Sequence, residues 1–163
     1  MLVLGLDPGT AATGYGVVKS QGSRLILLDY GVIQTPATWA MPERLKKIFT
    51  EIQNLIQQYD PDAMAIEEIF YHRNAKTVIA VAQSRGVALL AAAVAGIDIA
   101  EYTPLQVKQS VVGYGQAEKQ QVQFMVQRLL QLSELPQPDD AADALAIAIC
   151  HLHSYRMNER EKK

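Results

Sequence analysis

The chain has 163 residues, of which 49% are hydrophobic and 20% are charged, and its formal net charge is −2. This length fits one domain with a sizeable core, the composition excludes a disordered chain, and the weak negative charge means that any nucleic-acid binding needs a local basic patch. We find no secretory leader, no run long enough to cross a bilayer and only one cysteine, Cys150, and these features predict a cytoplasmic protein with no membrane partner.

The first third of the chain predicts three strands. Residues 2–6 form an unbroken apolar run that ends at Asp7, and a turn at residues 8–10 leads to further strands at 15–19 and 25–33. Apolar runs without polar alternation are typical of strands buried on both faces. We therefore expect these three strands to form an antiparallel meander.

The next segment changes its period. Apolar residues from Met41 to Tyr59 recur at the spacing of an amphipathic helix, with Pro42 in the first turn. Residues 63–66 return to an apolar strand, which stops at Glu67. A helix that links two buried strands is a crossover, so these two strands are predicted to be parallel neighbours.

The remainder of the chain predicts alternating helices and one strand. Asn74 can cap a helix of small apolar residues that continues to about Val94, and Gly96 can end it. We expect one domain over residues 1–155 and a charged, frayed tail over 156–163. The other predicted elements are a strand at 98–102 and helices at 104–112, 118–132 and 139–155.

Four acidic residues occupy the ends of these buried elements. Ligands of open α/β sheets bind beyond the carboxyl ends of the parallel strands, where Asp7 and Glu67 fall. Asp140 and Asp143 begin a helical stripe that becomes apolar after them, so both are expected to face the sheet. Each acid also has a simpler interpretation, because Asp7 can start a turn and acids at a helix start can cap it. Glu68 is expected to point to the opposite face from Glu67, and Asp139 is the expected cap of the pair at 139–140.

Four sequence blocks carry a named resemblance. They resemble the RuvC family of bacterial Holliday junction resolvases, which implies a ribonuclease H-like α/β fold: a mixed five-stranded sheet, with a three-strand antiparallel meander plus parallel strands, and helices on both faces. An Asp-x-Gly-Thr turn alone is weak evidence, but all four blocks in this order are specific. The blocks are Gly5-Leu6-Asp7-Pro8-Gly9-Thr10 with Gly14-Tyr15-Gly16, Ala65-Ile66-Glu67-Glu68-Ile69-Phe70, Gln106-Val107-Lys108-Gln109, and the run from Asp140 to Asp143 with Ala144-Leu145-Ala146.

The resemblance implies a catalytic metal site formed by Asp7, Glu67, Asp140 and Asp143. Crowded carboxylates repel one another, and oxygen donors without a Cys/His cluster suit Mg²⁺, with Mn²⁺ as a substitute. The implied activity is two-metal hydrolysis of DNA phosphodiesters, which resolves a four-way junction by paired symmetric nicks in recombination and repair.

Basic and aromatic residues near these acids are predicted to contact DNA. The resemblance implies a stacking role for Phe70, although the same side chain could pack as the last core residue of its strand. It also implies that Lys108 and Lys119 lie near the scissile phosphate. Plausible backbone contacts, any of which could simply be solvated, are Arg73, Lys76 and Arg85.

Two equivalent cleavage sites require two active sites, so we expect a C2 homodimer formed through the helix at 74–94. The resemblance implies a further partner, the RuvA–RuvB branch-migration complex. Three alternatives remain at this point: an actin-like phosphotransferase, for which the chain is too short, a YqgF-like nuclease acting on ribosomal RNA precursors, and a junction-binding module without catalysis.

Overall fold

The computed structural model describes residues 1–69 and 75–161, with the backbone alone described at 75–76 and 158–161. The strands are β1 (Leu2–Asp7), β2 (Ala12–Gln21), β3 (Arg24–Gln34), β4 (Ala63–Glu67) and β5 (Asp98–Tyr102). The helices are α1 (Met41–Tyr59), α2 (Ala75–Ala95), α3 (Pro104–Val112), α4 (Lys119–Leu129) and α5 (Asp139–Glu161).

The strands form one mixed sheet in the order β3-β2-β1-β4-β5. The pairs β1–β2 and β2–β3 are antiparallel, whereas β1–β4 and β4–β5 are parallel. This arrangement confirms the predicted meander, the predicted crossover through α1 and the predicted fold class. Because Leu6 pairs with Ile66, the following residues Asp7 and Glu67 leave the sheet side by side.

The two faces of the sheet bury separate cores. Leu4, Leu6 and Ile66 pack with α1 and α2 on one face. On the other face Val3 and Ala65 pack with α3, α4 and α5. Alternate residues of the central strands therefore meet different helices, which explains why these strands are apolar at every position.

Helix α5 lies directly on β1 and β2 because glycines and alanines remove the side chains between them. A Cβ added to Gly5 would collide with the backbone of Ala144, and one added to Gly14 would collide with the backbone of Asp140. Since no ordinary side chain fits there, these glycines fix the start of α5 at the edge where Asp7 lies.

Some boundaries differ from the predictions. Helix α4 ends at Leu129 because the chain turns through Gln131, whose φ is 55°. Helix α5 continues to Glu161, so the backbone of 156–161 is helical where a frayed tail was expected. The predicted cap Asn74 and residues 162–163 lie outside the described residues.

The expectation that no run could cross a bilayer needs correction. Residues Thr77–Ala95 reach the length and hydropathy of a membrane-spanning helix, with a mean hydropathy of 1.8. Polar residues at 83–85 interrupt this run in the sequence, and on its inner side Ala88, Ala91 and Ala92 are fully buried in the core. Apolar side chains nevertheless remain exposed on what we call the outer face of α2, formed by Ile79, Leu90 and Val94.

Candidate active site

Three of the predicted acids line one cavity of about 250 Å³, namely Asp7, Glu67 and Asp143. Asp7 ends β1, Glu67 ends β4, and Asp143 lies in the first turns of α5. Lys108 and Lys119 line the same cavity. The sheet and α5 thus bring together residues that are distant in the chain, as the sequence predicts.

Asp140 lies one helical turn before Asp143 and does not line this cavity. Its charge still acts on the site, because it contributes to the raised pKa of Asp7. Within the part of the chain that the structure describes, no three His, Cys, Asp or Glu side chains close around a single point as a metal cage does. The acids are neighbours in one cavity, but their carboxylates are not close enough to surround one ion.

Burial and mutual repulsion raise the pKa values of these acids. The pKa of Asp7 rises to about 7, first because of burial and then because of the charges of Asp143, Glu67 and Asp140. Burial and Asp143 raise the pKa of Glu67, and the charge of Lys108 opposes this. Burial also raises the pKa of Asp143. Such clusters are typical of sites that bind a cation or exchange a proton.

Lys119 supplies positive charge to the acids of α5. Its Nζ lies 3.0 Å from Oδ2 of Asp143 and 3.3 Å from Oδ2 of Asp139. Gln123, which is buried, donates from Nε2 to Oδ1 of Asp139 at 2.9 Å. These hydrogen bonds, that of Gln123 first, lower the pKa of Asp139.

From the sequence, Asp139 was expected only to cap a helix, and Gln123 was not singled out. A usable signal was present, since Lys119 and Gln123 are four residues apart on α4 and Asp139 and Asp143 are four apart on α5. Asp139, which accepts a hydrogen bond from Gln123, therefore pairs with Lys119 beside the cavity.

The loop after Asp7 is fixed by buried hydroxyl groups that the sequence did not single out. Thr10 Oγ1 donates to the carbonyl oxygen of Ala80 at 2.8 Å and lies 3.0 Å from Oγ of Ser84, both on α2. Thr35, which follows β3, donates from its hydroxyl to the carbonyl oxygen of Thr10. The loop is thus attached to elements on both sides of Asp7.

The predicted DNA contacts have different outcomes. Phe70, Arg73 and the side chain of Lys76 lie outside the described residues. Arg85 is less available than expected, because its guanidinium pairs with Glu101 and its Nε donates to the carbonyl oxygen of Glu67 at 3.3 Å. Its partner lies on β5, and pairing across the fold is not visible in the local sequence.

The acids lie between two open spaces. A second cavity of about 340 Å³ shares Asp7 and Glu67 and extends over Glu68 to Thr77 and Val81 of α2. Carboxylate oxygens suit hard divalent cations, and the lysines can neutralise a phosphate. The arrangement fits the metal-assisted hydrolysis of a phosphodiester in an extended substrate.

Comparisons with known proteins agree with this chemistry. Residues 3–151 match the family model of the crossover junction endodeoxyribonuclease RuvC. The RuvC of Syntrophomonas wolfei is 66% identical over 97% of this chain and 92% of its own length. The RuvC of Alkaliphilus oremlandii is 54% identical over 99% of each chain.

Solved structures give the same result. The Thermus thermophilus RuvC in complex with Holliday junction substrate superposes with a TM-score of 0.93, at 38% identity over 97% of this chain and 96% of that one. The yeast mitochondrial Holliday junction resolvase Ydc2 reaches a TM-score of 0.72 at 15% identity, which indicates a shared fold alone.

Proposed function

The chain belongs to the RuvC family of crossover junction endodeoxyribonucleases, and from this premise we propose that Asp7, Glu67, Asp140 and Asp143 form its catalytic metal site. The observation that carries the proposal is the shared cavity of three of these acids, in which burial and repulsion raise the pKa of Asp7 to about 7. Such repulsion is relieved by a divalent cation. The donor set is all oxygen, so the residues fit Mg²⁺, with Mn²⁺ as a substitute and two ions per site.

Asp7, Glu67, Asp140 and Asp143 would hold the ions, whose chemistry would be activation of a water and stabilisation of the leaving 3′-oxygen. The protein's own residues hold the site in place and orient the phosphate. Asp7 and Glu67 leave the sheet side by side on rigid strands, and Gly14 fixes Asp140 and Asp143 against that edge. Lys108 neutralises the scissile phosphate. Lys119 gives up its ion pair with Asp143 to bind a phosphate oxygen. Its ion pair with Asp139 keeps Lys119 beside the cavity.

The substrate we propose is a four-way DNA junction, which the Thermus thermophilus relative binds. Two equivalent nicks require two equivalent sites, and we assign the dimer contact to the outer face of α2. RuvA and RuvB remain the proposed partners for branch migration. We place the enzyme in the cytoplasm, where the free thiol of Cys150 remains reduced.

Relatives named as endodeoxyribonucleases favour this substrate over the RNA of the YqgF-like alternative, and the family match removes the actin-like phosphotransferase. The non-catalytic junction-binding module is the alternative that an assay must separate.

The decisive experiment is strand-resolved cleavage of a mobile junction with Mg²⁺. We expect symmetric nicks in two opposing strands with ligatable 5′-phosphates, and loss of cleavage in Asp143→Asn. Asp98→Asn, an exposed acid at the start of β5, is the matched control and should cleave normally. Junction binding without nicking, or preferential cleavage of structured RNA, would refute the proposal.

A further inference from the structure

A second group of cations lies outside the site described above. The segment that joins β3 to α1 and the first turns of α1 carry Trp39, Arg44, Lys46 and Lys47, which we call the α1 basic patch. Trp39 is 42% exposed, and Lys47 Nζ lies 5.8 Å from the centre of its ring. An exposed indole beside lysines is unusual in a chain whose net charge is −2.

The patch lies at the same edge of the sheet as the catalytic acids. Gln34 at the end of β3 pairs with Ala12, and the backbone N–H of Thr35 donates to the carbonyl oxygen of Ala11 at 3.0 Å. Arg44 Nε donates to Oγ1 of Thr35 at 2.8 Å. Since Thr35 also bonds the carbonyl oxygen of Thr10, the patch is attached to the loop that follows Asp7.

The cations of the patch are not engaged in ion pairs within the described residues. Within the described residues, none of Arg44, Lys46 and Lys47 forms an ion pair, in contrast to Arg85 and Lys119. Glu43 and Glu51 line the cavity of about 430 Å³ beside Trp39, yet neither pairs with these lysines. An external anion could therefore bind these cations without displacing an ion pair of the protein.

The sheet order places the patch on the other side of the acids from Lys108. The patch follows β3 at one edge of the sheet, α3 with Lys108 follows β5 at the other, and Asp7 and Glu67 lie between. Strands are about 4.8 Å apart, so the end of β3, where the segment that leads into the patch begins, lies roughly 10 Å from the end of β1. Helix α1 packs on the face of the sheet opposite α5.

We propose that the α1 basic patch binds the phosphate backbone of a duplex arm beyond the cleaved bond. Lys46 and Lys47 contact phosphates, and Trp39 packs against the same strand. The assignment depends on the proposed function and deepens it, because it adds a surface that positions one arm while Lys108 and Lys119 hold the scissile phosphate.

The test is the salt dependence of junction binding, measured in an Asp7→Asn background that we expect not to cleave. Lys46→Gln with Lys47→Gln should weaken binding and lower the slope of log Kd against log salt by about 2, one per lysine. The matched control, Lys19→Gln with Arg24→Gln, removes two exposed cations from the opposite end of the sheet and should leave the slope unchanged.

Trp39 gives a second readout, because it is the only tryptophan of the chain. Junction DNA should quench its fluorescence, and the double lysine variant should reduce this quenching. Equal slopes for the two double variants, or no fluorescence change on binding, would overturn the proposal. Either result would mean that the patch does not bind DNA, as expected if it binds an acidic protein instead. Nicking by the unsubstituted protein is measured in parallel, so failure of the proposed function is seen separately.

Discussion

At the scale of single residues, Asp7 combines a catalytic position with an energetic cost. Its pKa of about 7 means that the folded protein keeps a proton on this carboxyl over a range in which the unfolded chain, with a value near 3.8, has lost it. The unfolding free energy therefore falls as pH rises from about 4 to about 7, by up to about 4 kcal/mol for Asp7. Asp7, which we propose to be catalytic, thus destabilises the metal-free fold.

The substitution Asp7→Asn tests this cost. Without metal at pH 8, the variant should melt at a higher temperature than the unsubstituted protein, because the repelled charge is gone. At pH 5 this gain should be smaller, since the folded protein then keeps its proton on Asp7 and only the unfolded chain has lost it. Cleavage should be lost, and Mg²⁺ should stabilise the variant less than the unsubstituted protein. Thermal unfolding at the two pH values measures both effects.

Asp98→Asn controls for the removal of one negative charge and should show no such pH-dependent gain, because Asp98 is exposed. An equal or lower melting temperature for Asp7→Asn at pH 8 would argue against crowding of the acids.

The sequence was informative for residues whose role follows from local position. Asp7 and Glu67 each stop an apolar run, so their place at the carboxyl end of a strand was predictable. The pairing of Arg85 with Glu101 and the support of Lys119 by Asp139 depend on side chains that meet only after folding. No local pattern reports such distant pairs unless the spacing on both helices is compared.

At the scale of secondary-structure elements, the position of α5 depends on glycines in the strands beneath it. A methyl group at Gly14 would meet backbone atoms of Asp140 and Ala141, which cannot move without the helix. Gly14→Ala should therefore lower the unfolding free energy by about 1–3 kcal/mol, as overpacked sites do. It should also raise the Mg²⁺ concentration needed for cleavage, because Asp140 and Asp143 move with α5.

Gly31→Ala is the matched control, since it is the same change in the same sheet. The added methyl group would meet the Tyr15 side chain, which can shift, rather than a backbone. Urea unfolding and a Mg²⁺ titration of cleavage measure the two variants. Equal losses for both, or an unchanged Mg²⁺ requirement in Gly14→Ala, would contradict this role for Gly14.

Element types were predictable because hydrophobic periodicity separates α1 from the strands around it. The ends of the elements were less predictable. The turn at Gln131 adopts a left-handed backbone without a glycine, and α5 continues through charged residues that read as a tail. Such ends depend on packing and solvent exposure rather than on local preference.

At the scale of the whole molecule, the topology followed from one inference: a helix between two buried strands must return the chain in parallel. That placed β4 beside β1 and brought two acids to one edge. The packing of α2 was only partly predictable. Its small apolar residues suggested close packing, yet sequence alone did not separate the side that packs in the core from the outer face.

The outer face of α2 yields the last prediction. Ile79, Leu90 and Val94 are between 55% and 65% exposed, which is costly for a row of large apolar side chains on one helix face. A second copy related by a twofold axis would cover them and supply the second active site. Leu90→Glu should give a monomer by sedimentation velocity, because two like charges would then face each other in the interface.

The matched control is Leu28→Glu, which alters an exposed leucine on the edge strand β3 and should leave the dimer intact. The monomer keeps all four acids, so Mg²⁺ should still raise its melting temperature, whereas paired nicking of the junction should fail. This separation of metal binding from paired cleavage distinguishes a lost interface from a misfolded site. A monomeric unsubstituted protein would contradict the dimer, and a dimeric Leu90→Glu would place its contact elsewhere on the surface.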